Sequence, residues 1–444
     1  MKTGFSKICI NPPYGAPIVG YYEPRYVRGV LDDLFVRAIV FDDGNAQAAV
    51  IAIDICLLAQ KYYDSIKKAI REATGIPDEA IFINCSHTHT GPLVGKDFAS
   101  GKCSSEAYDE FLITSVRDAV IYALQNLRES AFESAETQAK GISFVRRYRM
   151  KDGSVATNPG VNNPKIDHPL GEPNETVKLV KILRENADDV YIIHFGTHPD
   201  SVGGEFISAD YMGFACATVE RALPNTQCMF LLGPQGDVNH VNTAPSPAEA
   251  SISKIDFDGV PRDIRHAEHM GRVIAGAILS VCSIATKLHI DSIRCSIAQI
   301  CLPSHQENHR LPEAKRIYAL YEAGRAAELP YKEMALTTVI AEASRIIKLE
   351  NGPDAFTFNL SAIALGDLVF AGIGGEPFTE IGRRICAASP FKTTLLCCLT
   401  NSPGGYIPTR NAYAEGGYEA GNSVLKPGGD DIIVDGMIAL LRSL

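Results

Sequence analysis

The chain has 444 residues, 46% hydrophobic and 21% charged, a globular balance with material for one large core or two moderate ones. Its net charge is −10 and it contains no Lys/Arg-rich run, which argues against a nucleic-acid backbone or an anionic membrane surface as partner. The opening MKTGFSKICINPP lacks the apolar stretch of a secretory signal, no window is expected to reach the roughly 18 apolar residues of a membrane span, and none of the twelve cysteines forms a CxxC pair.

Buried free thiols and a cytoplasmic location are therefore expected. In chain order, apolar β-rich runs at 34–41 (LFVRAIVF) and 48–54 (AAVIAID) predict two strands, with DDGN at 42–45 as the hairpin turn between them. A helix-period stretch at 62–74, a strand at 80–84 and a helix at 105–127 follow. The pattern continues with strand 190–195, helix 211–223, strand 228–232, helices 262–280 and 312–349, and apolar strand runs at 360–374 and 393–399. Such alternation predicts an α/β fold, a mostly buried mixed β-sheet flanked by helices, with the site at strand-end loops. The regions 150–175 and 401–431 read as loops, and long loops often line sites. No repeat or linker divides the chain, so 1–444 reads as one domain, with 286–350 a candidate peripheral excursion.

Five strand-end turns carry groups with chemistry. NCSHTHTGP at 84–92 leaves strand 80–84, and residues two apart in an extended segment share a face, so His87 and His89 can enter one pocket. Imidazole is a favoured zinc ligand and proton carrier, although a structural histidine pair has the same spacing. HFGTHPD at 194–200 places His194 in a strand, as a satisfied core histidine or one that braces the site from behind, and His198 in the following turn, where it can be a ligand. Downstream, Asp210 opens a helical stretch as a cap or a brace. In GPQGDVNH, Gly236 and Asp237 form a tight turn whose N–H groups could face an oxyanion, or an ordinary Gly-Asp turn. Glu376 in GIGGEPFTEIGRR precedes a helix start, either as a helix-dipole partner or as a metal ligand. In NSPGGYIPTRNAYAEGGYEAG the tyrosines Tyr406, Tyr413 and Tyr418 are candidates for metal ligation, transition-state hydrogen bonding or loop packing. No GxSxG elbow, P-loop or GxGxxG after a strand offers a rival chemistry.

Together these patches resemble the neutral/alkaline, non-lysosomal ceramidase family, over its catalytic N-terminal domain. The resemblance runs from DDLFVRAIVFDDG through IDICLL, INCSHTHTGP, HFGTHPD, ISADYMGFA, GPQGDVNH and GGEPFTEIGRR to GGYIPTRNAYAEGGYEAG; only 286–350 contributes nothing to it. It implies hydrolysis of a C–N amide bond, as in N-acyl sphingosines, by a metal-activated water, with one Zn2+ per chain held by His87, His198, Glu376 and Tyr406. It further implies His89 as general acid/base, Arg146 of SFVRRYR facing substrate, and Tyr418 hydrogen-bonding the carbonyl, with Gly236, Asp237 and Asn239 also around the substrate. Spacing does not separate Arg146 from Arg147 for the substrate-facing role.

Two departures stand out. Asn239 of GDVNHVN occupies the place of a family serine and cannot accept an acyl group, which leaves a metal-water mechanism intact but not a serine acyl-enzyme. The immunoglobulin-like domain and the signal peptide of secreted members are also expected to be absent. The expected partner is a small-molecule substrate, an N-acyl amine or a lipid amide, with no nucleic acid and no membrane insertion. Ester, lactone or cyclic-amide hydrolysis on a small soluble substrate, or an idle ligand-binding role, are the alternatives.

Overall fold

The computed structural model describes residues 1–96 and 102–444. Its larger sheet contains β1 (Lys2–Cys9), β2 (Phe35–Asp42), β3 (Gln47–Ile53), β4 (Ile81–Cys85), β5 (Arg128–Gln138), β6 (Thr176–Arg184), β7 (Asp189–Phe195) and β8 (Thr226–Leu232). Their order is β8-β7-β6-β5-β1-β2-β3-β4, with the short Thr286–Lys287 strand added beside β5. The outermost pairs, β7 with β8 and β3 with β4, are parallel; the rest are antiparallel. The sheet is mixed, as expected.

β2, β3, β4 and β8 are the apolar runs legible in the sequence, and nearly all their side chains are buried. β5 (RESAFESAETQ) was not legible, because most of its side chains are half-buried or exposed. It is a strand because its backbone pairs residue for residue with β6 from Ser130 to Gln138, and pairing satisfies N–H and C=O groups whatever the side chains are.

A second sheet has the order β9 (Ile293–Pro303), β10 (Ala355–Leu365), β11 (Leu368–Ile373), β12 (Thr393–Cys397). The 360–374 run is thus not one strand; the chain reverses at Gly366-Asp367 to form a hairpin. Phe370 of β11 meets Phe41 and Phe82 of the first sheet at ring separations of 5.8 and 6.1 Å, so the two sheets share one apolar core.

Helices α1 (Gln60–Thr74) and α2 (Glu106–Gln125) cover the first sheet on the β1–β2 side, α3 (Asp210–Ala222) covers its β8 end, and α4 (Ile264–Val281) packs on α3 and over β5 and β6. By length and composition Ile264–Ile284 reaches the threshold of a membrane span, contrary to the sequence expectation. Its face Ala267, Met270, Gly271, Ile274, Ala275 and Ile278 is buried, and a Cβ on Gly271 would stand 2.5 Å from that of Phe214 on α3. That close fit makes it an amphipathic helix packed on its neighbour.

The expected 312–349 helix is two, α5 (Leu311–Glu322) and α6 (Glu333–Lys348). The break contains Gly324 at a φ of 69° and Pro330, which ends helical pairing. The pair has its own small apolar cluster around Ile317 and Ile346, while Ile293–Pro303 belongs to the second sheet. α7 (Thr379–Ala388) and α8 (Gly429–Ser443) cover that sheet, α8 arising where only loop was expected up to 431. All twelve cysteines are free, and Cys56, Cys85, Cys216, Cys228, Cys397 and Cys398 are buried.

Just past β12 the chain runs between the two edge strands of the large sheet. Cys398 N–H donates to Leu232 O (3.1 Å) and Cys85 N–H to Leu399 O (3.2 Å). The Asn84 side chain accepts from Leu232 N–H (2.9 Å) and donates to Cys398 O (2.6 Å). This seam gathers the ends of β4, β7, β8 and β11 at one place.

Beside it, His194 donates from Nε2 to Leu396 O (2.7 Å), a core role as expected. Burial, helped by Lys178, pushes its pKa down to about 4. The unfolded chain, with an ordinary histidine near 6.5, therefore binds the proton first, so stability contributed at this site is complete above pH 6.5 and is lost as pH falls toward 4. We expect a loss of up to about 3 kcal/mol over that window. Urea titrations of wild type and His194→Asn at pH 7.0 and 4.5 check it: the variant should be less stable at neutral pH but lose less on acidification.

Candidate active site

His87 follows β4 and adopts a φ of 62°, a left-handed conformation rare for a side chain of this size and frequent at functional sites. Its Nδ1 donates to Cys56 O (2.9 Å), with Cys56 Sγ at 3.5 Å, and this leaves Nε2 directed at Glu376 Oε2 (3.3 Å). His198, in the turn after β7, bonds Gln235 Oε1 through Nδ1, and its Nε2 faces His89 Nε2 at 3.1 Å. His89 Nε2 also lies 3.4 Å from His87 Nε2. Glu376 Oε2 sits 3.8 Å from His198 Nδ1 and accepts from Gln235 Nε2 (3.4 Å). The structure thus brings His87, His89, His198 and Glu376 into one buried cluster from turns far apart in sequence.

Tyr406 arrives by backbone pairing: Glu376-Pro377 and Tyr406-Ile407 form a two-residue parallel ladder in which Glu376 is the register partner of Tyr406. The approach is so tight that a Cβ on Gly375, at a φ of 72°, would fall 2.5 Å from Gly405 O. Tyr406 is buried, and its ring lies 5.2 Å from the Arg146 guanidinium and 5.4 Å from the Tyr418 ring. Tyr413 instead hydrogen-bonds Ser423 Oγ (2.9 Å) and packs its loop.

Charge is distributed unevenly among these groups. Burial disfavours charge on His87, but Cys56 and Glu376 beside it outweigh that and hold its pKa well above the ordinary value. Burial and neighbouring positive groups hold His89 and His198 well below it. Burial would raise the Glu376 carboxyl, yet His87 prevails and keeps it ionised. For Tyr406, burial and then Glu376 push the phenol well up.

Several expected roles are redistributed. Gly236 cannot serve as an oxyanion donor: its N–H is bonded to Pro377 O (3.0 Å), and its carbonyl accepts from Arg146 (2.8 Å). The Asp237 carboxylate takes the N–H and hydroxyl of Thr379 (2.7 and 3.0 Å) and so caps α7, one of the two roles read for Glu376 in the sequence. Asn239 has both ends of its amide satisfied, by Asn158 (3.0 Å) and Val241 N–H (3.1 Å), and is wholly buried, so it holds its loop. Asp210 braces the turn after His198, taking the Ser201 hydroxyl and Val202 N–H (3.1 Å).

Of the two arginines, Arg146 reaches the site. It is buried, held by Glu419 at 2.7 Å and by Gly236 O at 2.8 Å, with the Tyr406 ring beside its guanidinium. Arg147 ties the loop before Tyr418 through Glu415 (3.0 Å) and Gly416 O (2.8 Å). Because Arg146 and Glu419 are both nearly inaccessible, Glu419→Ala strands a buried cation and should cost about 3–5 kcal/mol. Denaturant unfolding of the variant measures this.

Gln235, Cys56, Tyr21 and Arg25 were not singled out from sequence. Gln235, inside GPQGD, and Cys56, inside IDICLL, lay within motifs quoted above but carried no role there; Tyr21 and Arg25 are brought in by tertiary packing. On the side of Glu376 and Tyr406 opens a cleft of about 600 Å3, walled by Leu57, Leu93, Val94, Phe356, Phe358 and Leu399 among others. Its size lies within the ~300–1,000 Å3 of ordinary ligand sites.

The donor set fits a zinc ion. Zn–N bonds of ~2.0–2.1 Å in a tetrahedron put two ligand atoms roughly 3.3 Å apart, and His87 Nε2 and Glu376 Oε2 are 3.3 Å apart. His87, His198 and Glu376 together form one of two His/Cys/Glu groupings able to hold a cation among the described residues, Cys56, His87 and His89 being the other. Hydrogen bonds from the rear nitrogens of His87 and His198 to Cys56 O and Gln235 orient both rings, as ligating histidines require.

No family model matches the sequence. Among solved structures the chain is similar to neutral ceramidase from Pseudomonas aeruginosa, with a TM-score of 0.72 at 14% identity, covering 100% of this chain and 75% of that one. It is similar also to a ceramidase complexed with C2, with a TM-score of 0.70 at 14% identity and the same coverage.

Proposed function

From the premise that this chain has the ceramidase fold along its whole length, we propose that it is a zinc-dependent amidohydrolase that cleaves the C–N bond of an N-acyl amine. The observation that carries the reading is the convergence of His87, His198 and Glu376 with His89 Nε2 turned toward both imidazoles. His87, His198, Glu376 and Tyr406 would hold one zinc ion, which supplies Lewis-acid polarisation of a carbonyl and a lowered pKa for water.

His89, kept neutral by its surroundings, takes the proton of the attacking water at Nε2 and returns it to the leaving nitrogen. Tyr418, its phenol held protonated by burial, donates to the developing oxyanion. Arg146, paired with Glu419, faces the Tyr406 ring and adds positive field without titrating. The apolar cleft beside Glu376 and Tyr406 receives the acyl group.

Metal analysis of the purified chain, followed by turnover on N-acyl amines of increasing tail length with matched esters alongside, tests the reading. Zinc near one per chain with amide turnover supports it. Zinc without hydrolysis of any amide would favour an idle binding protein, and turnover of esters alone would move the reaction to an esterase or lactonase.

A further inference from the structure

Strands Pro17–Ile18 and Arg25–Tyr26 pair antiparallel, and the loop between them, 19–24, lies across the histidine cluster as a strap. Gly20, at a φ of 121°, passes so near that a Cβ would stand 2.8 Å from His89 Cγ. Arg25 fastens the strap by donating to His89 O (2.7 Å), Gly204 O (2.9 Å) and Val19 O (3.1 Å).

Tyr21 on this strap meets the His89 ring edge to face, with centroids 4.9 Å apart and planes at 62°. Its ring is itself fixed. The guanidinium groups of Arg25 and Arg262 lie over it at 4.2 and 4.4 Å, and its hydroxyl donates to Asp200 O (3.3 Å). Arg262 in turn is held by both oxygens of Asp258 (2.7 and 2.8 Å).

A histidine that must present one ring nitrogen is ordinarily oriented by a hydrogen bond at the other. His87 has Cys56 O and His198 has Gln235 in that place. His89 differs: its Nδ1 is buried and has no hydrogen-bond partner among the described residues. Its ring is therefore oriented by what packs on it.

We propose that Tyr21 is the positioning residue for His89, holding the imidazole by ring contact so that Nε2 faces the site, a role that rests on the acid/base function proposed for His89. Loss of the ring lets the imidazole rotate without removing the base or any proposed metal ligand. Small misplacements of a reacting group can cost up to about 100-fold in rate.

The test compares Tyr21→Ala and Tyr21→Phe in the full zinc-loaded chain, following kcat and KM, zinc content, thermal melting and the long-range 1H–15N spectrum of the imidazoles. Tyr21→Ala should lower kcat about 10- to 100-fold with KM within about twofold, leave zinc and melting unchanged, and broaden or shift the His89 resonances. Tyr21→Phe should retain at least half of wild-type kcat and the wild-type His89 signal. Wild-type kcat and an unchanged His89 signal in Tyr21→Ala would overturn the proposal, as would equal losses in both variants, which would assign the role to the hydroxyl. Tyr21→Leu, which fills the volume without an aromatic ring, replaces Tyr21→Ala if the latter does not fold, with the same expectations. If the wild type hydrolyses no N-acyl amine, the hydrolase reading fails by itself and the imidazole spectra alone decide whether Tyr21 orients His89.

Discussion

Glu376→Gln will cost the protein its zinc and its hydrolytic activity together. Among the described residues Glu376 is the carboxylate beside both histidines, 3.3 Å from His87 Nε2 and 3.8 Å from His198 Nδ1, so its removal takes away the anionic partner of a divalent cation. Replacing groups that merely orient metal ligands typically weakens binding about 10–100-fold, and loss of a proposed ligand should exceed that. Gln235→Ala is the graded comparison: Gln235 bonds His198 Nδ1 and Glu376, so its loss should weaken zinc binding about 10–100-fold without abolishing it. Competitive chelator titration of the three proteins, with turnover measured on the same samples, gives the order wild type, Gln235→Ala, Glu376→Gln. Stoichiometric zinc in Glu376→Gln would remove that residue from the ligand set.

His89→Ala should separate the two properties. Zinc stays near one per chain, because the variant keeps His87, His198, Glu376 and Tyr406, while kcat falls about 100-fold or more through loss of the proton carrier. The contrast is informative because His89 Nε2 stands 3.1 and 3.4 Å from the Nε2 atoms of His198 and His87, close enough to compete as a ligand. Loss of zinc in His89→Ala would place His89 in the metal shell and require another base. Full retention of rate would take it out of the chemistry altogether.

The parts of the fold legible in sequence were those whose burial is written into side-chain pattern. β2, β3, β4 and β8 are apolar nearly throughout, and α1, α2, α3 and α4 carry helical periodicity. β1 and β5 escaped notice because a strand with a partly exposed face is held by its backbone partners, which sequence does not name. Within the site, His87, His89, His198 and Glu376 stood out because each follows a buried strand in a glycine- or proline-marked turn.

Local sequence could not assign the roles of Glu376 and Asp237. Either carboxylate could cap α7, and only the tertiary arrangement turns Asp237 onto Thr379 and Glu376 onto His87. The Gly236 turn looked like an oxyanion cradle because glycine leaves an N–H accessible. The pairing of Glu376-Pro377 with Tyr406-Ile407 brings Pro377 O over it and consumes that donor. Tyr21 carried no signal at all, since its relation to His89 exists only through the strap.

A zinc ion between His87, His198 and Glu376 occupies a single position in space, and anomalous diffraction at the zinc edge from crystals of the zinc-loaded chain measures it. One strong peak is expected, bounded by His87 Nε2, His198 and a Glu376 carboxylate oxygen, with Tyr406 completing the shell. Absence of density there, or a peak held by other side chains, would contradict it.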